Sequence, residues 1–248
     1  MQFTIASYNI HRCVGLDRQC TPSRIAAVLK ELDCDVFALQ EVDNTSGTHA
    51  GSAQLDFLAR TLQMTAVPGL RIVRHMGEYG NAILTRLPVV DVHRHDLSYS
   101  RYEPRGALDV DIDVDGQSVR VIAAHLGLVR SERRFQWRRL MVALAERSLE
   151  TPTIMLGDMN EWYRRAATLR EAHQTLGRPP APAAFPSFAP VLALSRIWVR
   201  PLAALVSLQV HRTDATRGAS DHLPLKATVD AAKLRAPAVV EQYEVSGE

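Results

Sequence analysis

Apolar and polar positions alternate along this chain in short, well-bounded stretches, and the two periods of that alternation predict most of its elements. Residues 2–10 form an apolar run ending in Asn9, which predicts a buried strand. Thr21-Pro22 then marks a helix start, with Thr21 expected as N-cap and Pro22 at the first helical position. Ile25, Val28, Leu29 and Leu32 fall on one face of that helix. Asp35 to Leu39 predicts a second strand that delivers Gln40, Glu41, Val42 and Asp43 to its C-terminal end. Residues 52–63, with Leu55, Leu58, Ala59 and Leu62, read as another amphipathic helix.

Further on, residues 80–97 read as strand, turn, strand broken at Leu87-Pro88. Leu108, Val110, Ile112 and Val114 alternate with Asp109, Asp111 and Asp113, whose carboxylates the period-2 pattern assigns to a solvated face. His93 and His95 alternate on a strand in the same way. Asp115-Gly116 is a hairpin turn signal, and the return strand, 118–126, carries His125 near its end. Ser131 is the expected cap of a helix to about residue 148, with Trp137, Leu140, Met141, Leu144 and Ala145 inward. Thr153 to Leu156 is a buried strand ending in Gly157-Asp158-Met159-Asn160. A polar helix over 163–176 leads to a Pro-rich loop, then to strands near 194–199 and 205–211 and a last strand after Ser220-Asp221-His222-Leu223-Pro224. Strands and helices mix without a composition shift. The pattern therefore predicts one α/β domain over 1–231 and a loose tail over 232–248. Both halves run strand, polar end, helix, strand, polar end, the outline of an internal pseudo-repeat.

Composition narrows the function classes. The 248 residues are 46% apolar and carry a net charge of +2, so no strong overall pull on nucleic acid or anionic membrane is expected. The apolar stretch 188–210 is interrupted by Arg196, Arg200 and Pro201 and is not expected to span a membrane. No signal-peptide pattern is read at the N-terminus. Three cysteines without C-x-x-C spacing suit a reducing compartment, and a cytoplasmic location is expected. Nothing in the sequence sets the oligomeric state.

Five polar sites lie at strand ends: Asn9 with His11, Glu41, His125, Asp158 with Asn160, and Asp221 with His222. There is no nucleophile elbow, no Gly-rich phosphate loop and no zinc-type cysteine spacing. Carboxylates, imidazoles and carboxamides in this mixture suit metal-assisted hydrolysis of a phosphate ester. Mg²⁺ takes one or two carboxylates and keeps several waters, a role that fits Glu41. Asn9 and Asn160 suit the orientation of phosphate oxygens without repelling them. An imidazolium suits the charge that builds on the phosphoryl group, and Asp158 suits the attacking water.

Six segments make the reading specific. Ser7-Tyr8-Asn9-Ile10-His11, Leu39-Gln40-Glu41-Val42, Tyr79-Gly80-Asn81-Ala82-Ile83-Leu84, Ala124-His125-Leu126, Leu156-Gly157-Asp158-Met159-Asn160 and Ser220-Asp221-His222-Leu223-Pro224 follow in order. The chain resembles the endonuclease/exonuclease/phosphatase superfamily, the fold group of deoxyribonuclease I and exonuclease III. That resemblance implies a four-layer α/β/β/α sandwich of two mixed sheets flanked by helices. It implies Mg²⁺ or Mn²⁺ held mainly by Glu41, with Asn9 and Asp221 nearby. Asp158 would position or activate water. Asn160 and His125 would bind the scissile phosphate, with Arg105 as a further phosphate contact. His222 would stabilise the transition state or act as acid/base.

The implied activity is phosphodiester hydrolysis, with nucleic acid, phospholipid or a small molecule as substrate. Members of that group carry an Asp that orients the catalytic histidine, in a pattern like L-D-R-I. Here the run is Leu194-Ser195-Arg196-Ile197, and Ser195 brings no charge to that position. The alternative expectation is therefore a weakly active or non-catalytic phosphate-binding protein.

Of the remaining polar features, the run Arg130, Arg133, Arg134, Arg138, Arg139 reads as a solvated helix face, with an anion-binding rim as the alternative. Trp137 and Trp198 read as core. Trp162 is a candidate for the border of the site, and Asn81 for its wall or a turn.

Overall fold

A computed structural model describes residues 1–45, 53–69, 72–74, 77–147 and 151–234. Two sheets stack face to face. In the first, β11 (Leu205–Val210), β12 (Leu225–Asp230), β1 (Gln2–Asn9), β2 (Val36–Thr45), β5 (Gly77–Thr85) and β3 (Thr65–Pro68) follow in that order, with β4 (Ile72–Arg74) also on β5. In the second, the order is β10 (Ser195–Arg200), β9 (Thr153–Asp158), β8 (Gln117–His125), β7 (Gly106–Val114) and β6 (Val89–Asp96). Each sheet contains one parallel pair, β1 with β2 and β8 with β9. The helices α1 (Pro22–Leu32) and α2 (Gln54–Leu62) pack on the outside of the first sheet. The helices α3 (Arg130–Ala145) and α4 (Ala167–Leu176) pack on the outside of the second. This is the four-layer α/β/β/α sandwich.

The alternating strands explain the layers. Ile5, Val36, Leu108, Val110, Ile112, Val121, Ile154, Leu156 and Ile197 fill the space between the sheets. Tyr8, Phe37 and Leu39 face the other way, toward Ile25, Val28, Leu29 and Leu32 of α1. Each such buried aliphatic side chain contributes about 1.5–3 kcal/mol, so both faces of the central strands are stabilising. Behind the second sheet, Trp137 and Trp198 sit in the core with ring centroids 6.1 Å apart.

Asp115 and Gly116 both take positive φ, 58° and 77°, as a two-residue hairpin of this hand requires. The Leu87-Pro88 break does more than turn the chain: β5 belongs to the first sheet and β6 to the second.

Four expectations are corrected. First, Asp109 and Asp111 are buried rather than solvated, because α3 covers the outer face of β7. Arg120 Nε and Nη2 donate to Asp109 at 2.6–3.1 Å, and its Nη1 and Nη2 also donate to Leu144 O and Ala143 O at the end of α3. Asp111 is bound by both Arg147 Nη groups. His95 Nε2 lies 3.1 Å from Asp109 Oδ2, and His93 Nε2 lies 2.9 Å from Asp91 Oδ2, so both histidines pair with carboxylates.

Second, α3 begins at Arg130 with Val129 as N-cap, and Glu132 accepts from Val129 N–H at 3.5 Å, so Ser131 lies inside the helix. Thr21 precedes α1 as expected but makes no side-chain capping bond. Third, Ala143 rather than Ala145 faces inward, and the helix expected over 163–176 starts at Ala167. Fourth, the short helix α5 (Ala231–Leu234) buries Ala231 and Leu234, so the folded chain continues past residue 231. The rest of the expected tail, 235–248, lies outside the described residues. Among the described residues, no helix is long and apolar enough to cross a membrane.

Candidate functional site

The two parallel pairs end at the same edge of the sandwich. In the first, Asn9 lies opposite Gln40, one residue before Glu41. In the second, His125 lies opposite Asp158. Two backbone features make these ends possible. Between β8 and β9, Gly157 (φ 141°) approaches so closely that a Cβ there would stand 1.8 Å from Ala124 O. In β2 the register slips between Leu39 and Val42, which throws out Glu41 in the left-handed region at φ 57°. Asn160 is left-handed too, at φ 49°. Such a conformation costs a non-glycine residue about 1–2 kcal/mol, and it persists here at two residues that face the site.

Asp158 is the hub. Its side chain is 1% exposed, and its Oδ2 receives Asn9 Nδ2–H at 3.1 Å. The same oxygen lies 3.5 Å from His222 Nε2 and 3.7 Å from His125 Nε2. Its other oxygen accepts from Asn160 N–H at 3.0 Å. Asn9 is the bridge between the halves. Its Nδ2 also donates to Glu41 Oε1 at 3.0 Å, while its Oδ1 accepts from His11 N–H at 3.0 Å. Asn9 therefore presents donors to both carboxylates and fixes Glu41, rather than turning its oxygen to the same point as Glu41.

His125 is boxed in. Arg105 Nη1 lies 2.9 Å from its Nδ1, and a guanidinium can only donate. Asn160 Nδ2, also only a donor, lies 3.2 Å from His125 Nε2 and itself donates to Leu126 O at 2.8 Å, so donors face both ring nitrogens. Burial above all, then the Arg105 and His222 charges, pushes the His125 pKa down to about 3, with Glu41 opposing. His125 is thus neutral near pH 7.

The last motif is held from two sides. Ser220 Oγ donates to Asn9 O at 2.8 Å, and Ser187 in the Pro-rich loop binds Ser220 O and Asp221 O, each at 2.7 Å. Asp221 lies toward His11, with 3.9 Å between Oδ1 and His11 Nδ1, and its side chain is 36% exposed. His222 stacks at 4.7 Å, tilted by 45°, on Phe185. Its Nδ1 is buried without a hydrogen-bond partner among the described residues, and so is Ser195 Oγ. Ser195 sits opposite Asp158 in the ladder, yet its hydroxyl makes no bond to the imidazole.

Asn9, Glu41, Arg105, His125, Asp158, Asn160 and His222 are thus linked in one network, with Asp221 at its exposed margin and Ser195 beside it. Two residues enter unannounced. Tyr79 hydrogen-bonds Glu41, and burial followed by the Glu41 charge raises its pKa far above the ordinary range. Phe185 sits in the 177–190 loop, where composition signalled irregular structure but no contact. Asn81 is buried and donates to Gly106 O at 2.8 Å, tying the first sheet to the segment that carries Arg105. Arg133 is buried rather than solvated; it binds Gly127 O and Leu128 O, pairs with Glu161 at 3.4 Å and lies 4.6 Å over Trp162. Trp162 itself is exposed.

A metal would meet hard oxygen donors here. Glu41 and Asp221 are both partly exposed. Among the described residues, no group of three or more His, Cys, Asp or Glu side chains is preassembled around one point. One or two carboxylates supplemented by water is a donor set that fits Mg²⁺ or Mn²⁺.

The fold belongs to a known class: residues 6–222 match the Endonuclease/Exonuclease/phosphatase family, and the chain is a member of it. It is 29% identical over 246 residues to the uncharacterized protein YbhP of Escherichia coli strain K12, covering 92% of this chain and 96% of that one. An endonuclease/exonuclease/phosphatase structure from Beutenbergia cavernae superposes with a TM-score of 0.75 at 22% identity, over 92% of this chain and 71% of that one. A functionally unknown conserved protein from Enterococcus faecalis gives a TM-score of 0.73 at 20% identity, over 90% and 98%. At these identities the two structures speak for the fold alone.

Proposed function

We propose that the protein hydrolyses a phosphodiester with the help of a divalent cation, Mg²⁺ or Mn²⁺. One observation carries this reading: a single, nearly fully buried carboxylate oxygen, Asp158 Oδ2, is faced by Asn9, His125 and His222. Glu41, with Asp221 nearby, would hold the cation, which when bound would neutralise charge on the phosphoryl oxygens. Asp158 orients the attacking water and takes its proton. The Asn160 amide donates to the phosphoryl oxygens, where charge rises in the transition state, and the neutral His125 lies beside them. His222 Nε2 faces the same centre and is the candidate to protect or protonate the leaving oxygen. The products are a phosphomonoester and an alcohol.

Leu128, Val129, Trp162 and Tyr163 are exposed on the two loops that leave His125 and Asn160. They favour a substrate with an apolar or aromatic group beside the phosphodiester. The test is hydrolysis of an aryl phosphodiester with Mg²⁺ or Mn²⁺, followed by a panel of single- and double-stranded DNA, RNA, phospholipid and inositol phosphates. Turnover that Glu41→Ala abolishes supports the reading; equal activity in both proteins sinks it.

A second reading, a weakly active or purely phosphate-binding protein, has one observation in its favour. His222 Nδ1 and Ser195 Oγ are both buried and unpartnered, so among the described residues no group hydrogen-bonds the imidazole at Nδ1. No turnover of any panel member, with phosphate binding retained, is the result this second reading expects.

A further inference from the structure

Arg196 follows Ser195 on β10 but points to the opposite face of the sheet. Ile197 belongs to the core between the sheets, whereas Trp198 belongs to the core under α3 and α4, so the even-numbered side chains of β10 face outward. Arg196 is only 8% exposed, and its Nε has no hydrogen-bond partner among the described residues. Its guanidinium lines a cavity of about 270 Å³ together with Arg164, His173 and Arg178. Arg164 and Arg178 are exposed at the rim, and His173 of α4 is half-buried.

No carboxylate lines this cavity. Glu161, the acidic group whose charge reaches Arg196, is already committed: its oxygens accept from Tyr163 N, Thr168 Oγ1 and Arg133 Nε at 3.2–3.4 Å. Burial and the Arg164 charge lower the Arg196 pKa, and burial with Arg178 and Arg196 lowers that of His173. Positive charge is therefore concentrated in a concave pocket whose lining holds no carboxylate, and the nearby Glu161 is already bound by other donors. A buried guanidinium Nε–H without an acceptor is costly, and an anion in the cavity would supply one. Planar guanidinium forks match the oxygens of phosphate in particular.

We propose that this pocket is a second anion site, separate from the catalytic network, that binds inorganic phosphate or the phosphate group of a small molecule. Arg196 is its floor, Arg164 and Arg178 are its rim. Bound there, the anion would grip the 159–166 loop from behind, the same loop that presents Asn160 and Trp162 at the front.

The test is calorimetric titration with inorganic phosphate in EDTA at constant ionic strength, against chloride. Three full-length proteins are compared: wild type, the rim variant Arg164→Ala/Arg178→Ala, and Asn160→Ala in the catalytic network. Wild type and Asn160→Ala should share a phosphate site that the rim variant lacks or binds at least tenfold more weakly. The proposal is overturned if the rim variant titrates like wild type, or if no phosphate site survives in Asn160→Ala.

Discussion

The two strand–helix–strand units that meet at the site are alike in backbone and unlike in surroundings. β1–α1–β2 and β8–α3–β9 each place two parallel strands side by side and end them in polar residues at the same edge. The first unit ends in Glu41, on a bulge, partly exposed and held by Asn9 and Tyr79. The second ends in His125 and Asp158, both almost fully buried and fixed by Arg105 and Asn160. Behind the second unit, Arg120 and Asp109 lock α3 to the sheet. The difference fits a division of labour. A hydrated cation needs an open side with few fixed ligands. The groups that act on the phosphoryl centre need a dry, pre-set geometry, where hydrogen bonds are electrostatically stronger.

The sharpest way to break this comparison is to disable each unit in turn. Glu41→Ala and Asp158→Asn are each expected to lower kcat on an aryl phosphodiester by roughly a thousandfold, as loss of a metal ligand or of a general base does. Neither should change the thermal midpoint by much, since neither side chain carries core packing. The rigidity of the second unit is tested by Arg120→Met, which takes the main guanidinium partner from the buried Asp109 carboxylate. It should cost about 3–5 kcal/mol in denaturant unfolding. A cost below 1 kcal/mol would mean that the buried pair does not lock α3.

The same pair predicts a pH signature. Burial raises the Asp109 pKa, but hydrogen bonds from His95 and Arg120 outweigh it and bring it down to about 2. A depressed folded pKa contributes stability that is present above the unfolded value of about 3.9 and lost as pH falls toward the folded one. Acid unfolding should therefore lose about 2 kcal/mol from this group between about pH 4 and pH 2. In Asp109→Asn that part of the slope should vanish.

Ser195→Asp gives His222 Nδ1 a charged acceptor at the position opposite Asp158. It is expected to raise kcat about tenfold and to move the basic limb of the pH profile upward, since a carboxylate favours the imidazolium. An unchanged rate and profile would mean that His222 is already held well enough by Phe185 and the 184–187 loop. The smallest effect is expected from Asn81→Ala, about 1 kcal/mol for the lost bond to Gly106 O, with a modest rise in KM through Arg105.

Much of this was legible in the residues because each reactive side chain closes an apolar run. Asn9, Glu41, His125 and Asp158 follow strands whose burial needs no tertiary knowledge to see. The layer order came from the motif series, not from periodicity. Alternation misread Asp109 and Asp111: a period of two separates the faces of a strand, but it cannot tell water from a buried ion pair under a helix. Ser195 stood out in sequence as a missing charge. That its hydroxyl makes no hydrogen bond to His222 could be read only from the structure. Phe185 and the Arg164–Arg178–Arg196 cluster depend on loop paths that no local pattern encodes, since the three arginines come from two loops and a strand.

The central claim is that both units serve one reaction centre. It is tested most directly by kcat/KM for Glu41→Ala, Asp158→Ala and the double variant on one aryl phosphodiester with Mn²⁺. Groups that act as a unit are strongly non-additive. The double variant should therefore fall no more than about tenfold below the weaker single variant. Losses that simply multiply would place Glu41 and Asp158 in independent roles and contradict the account.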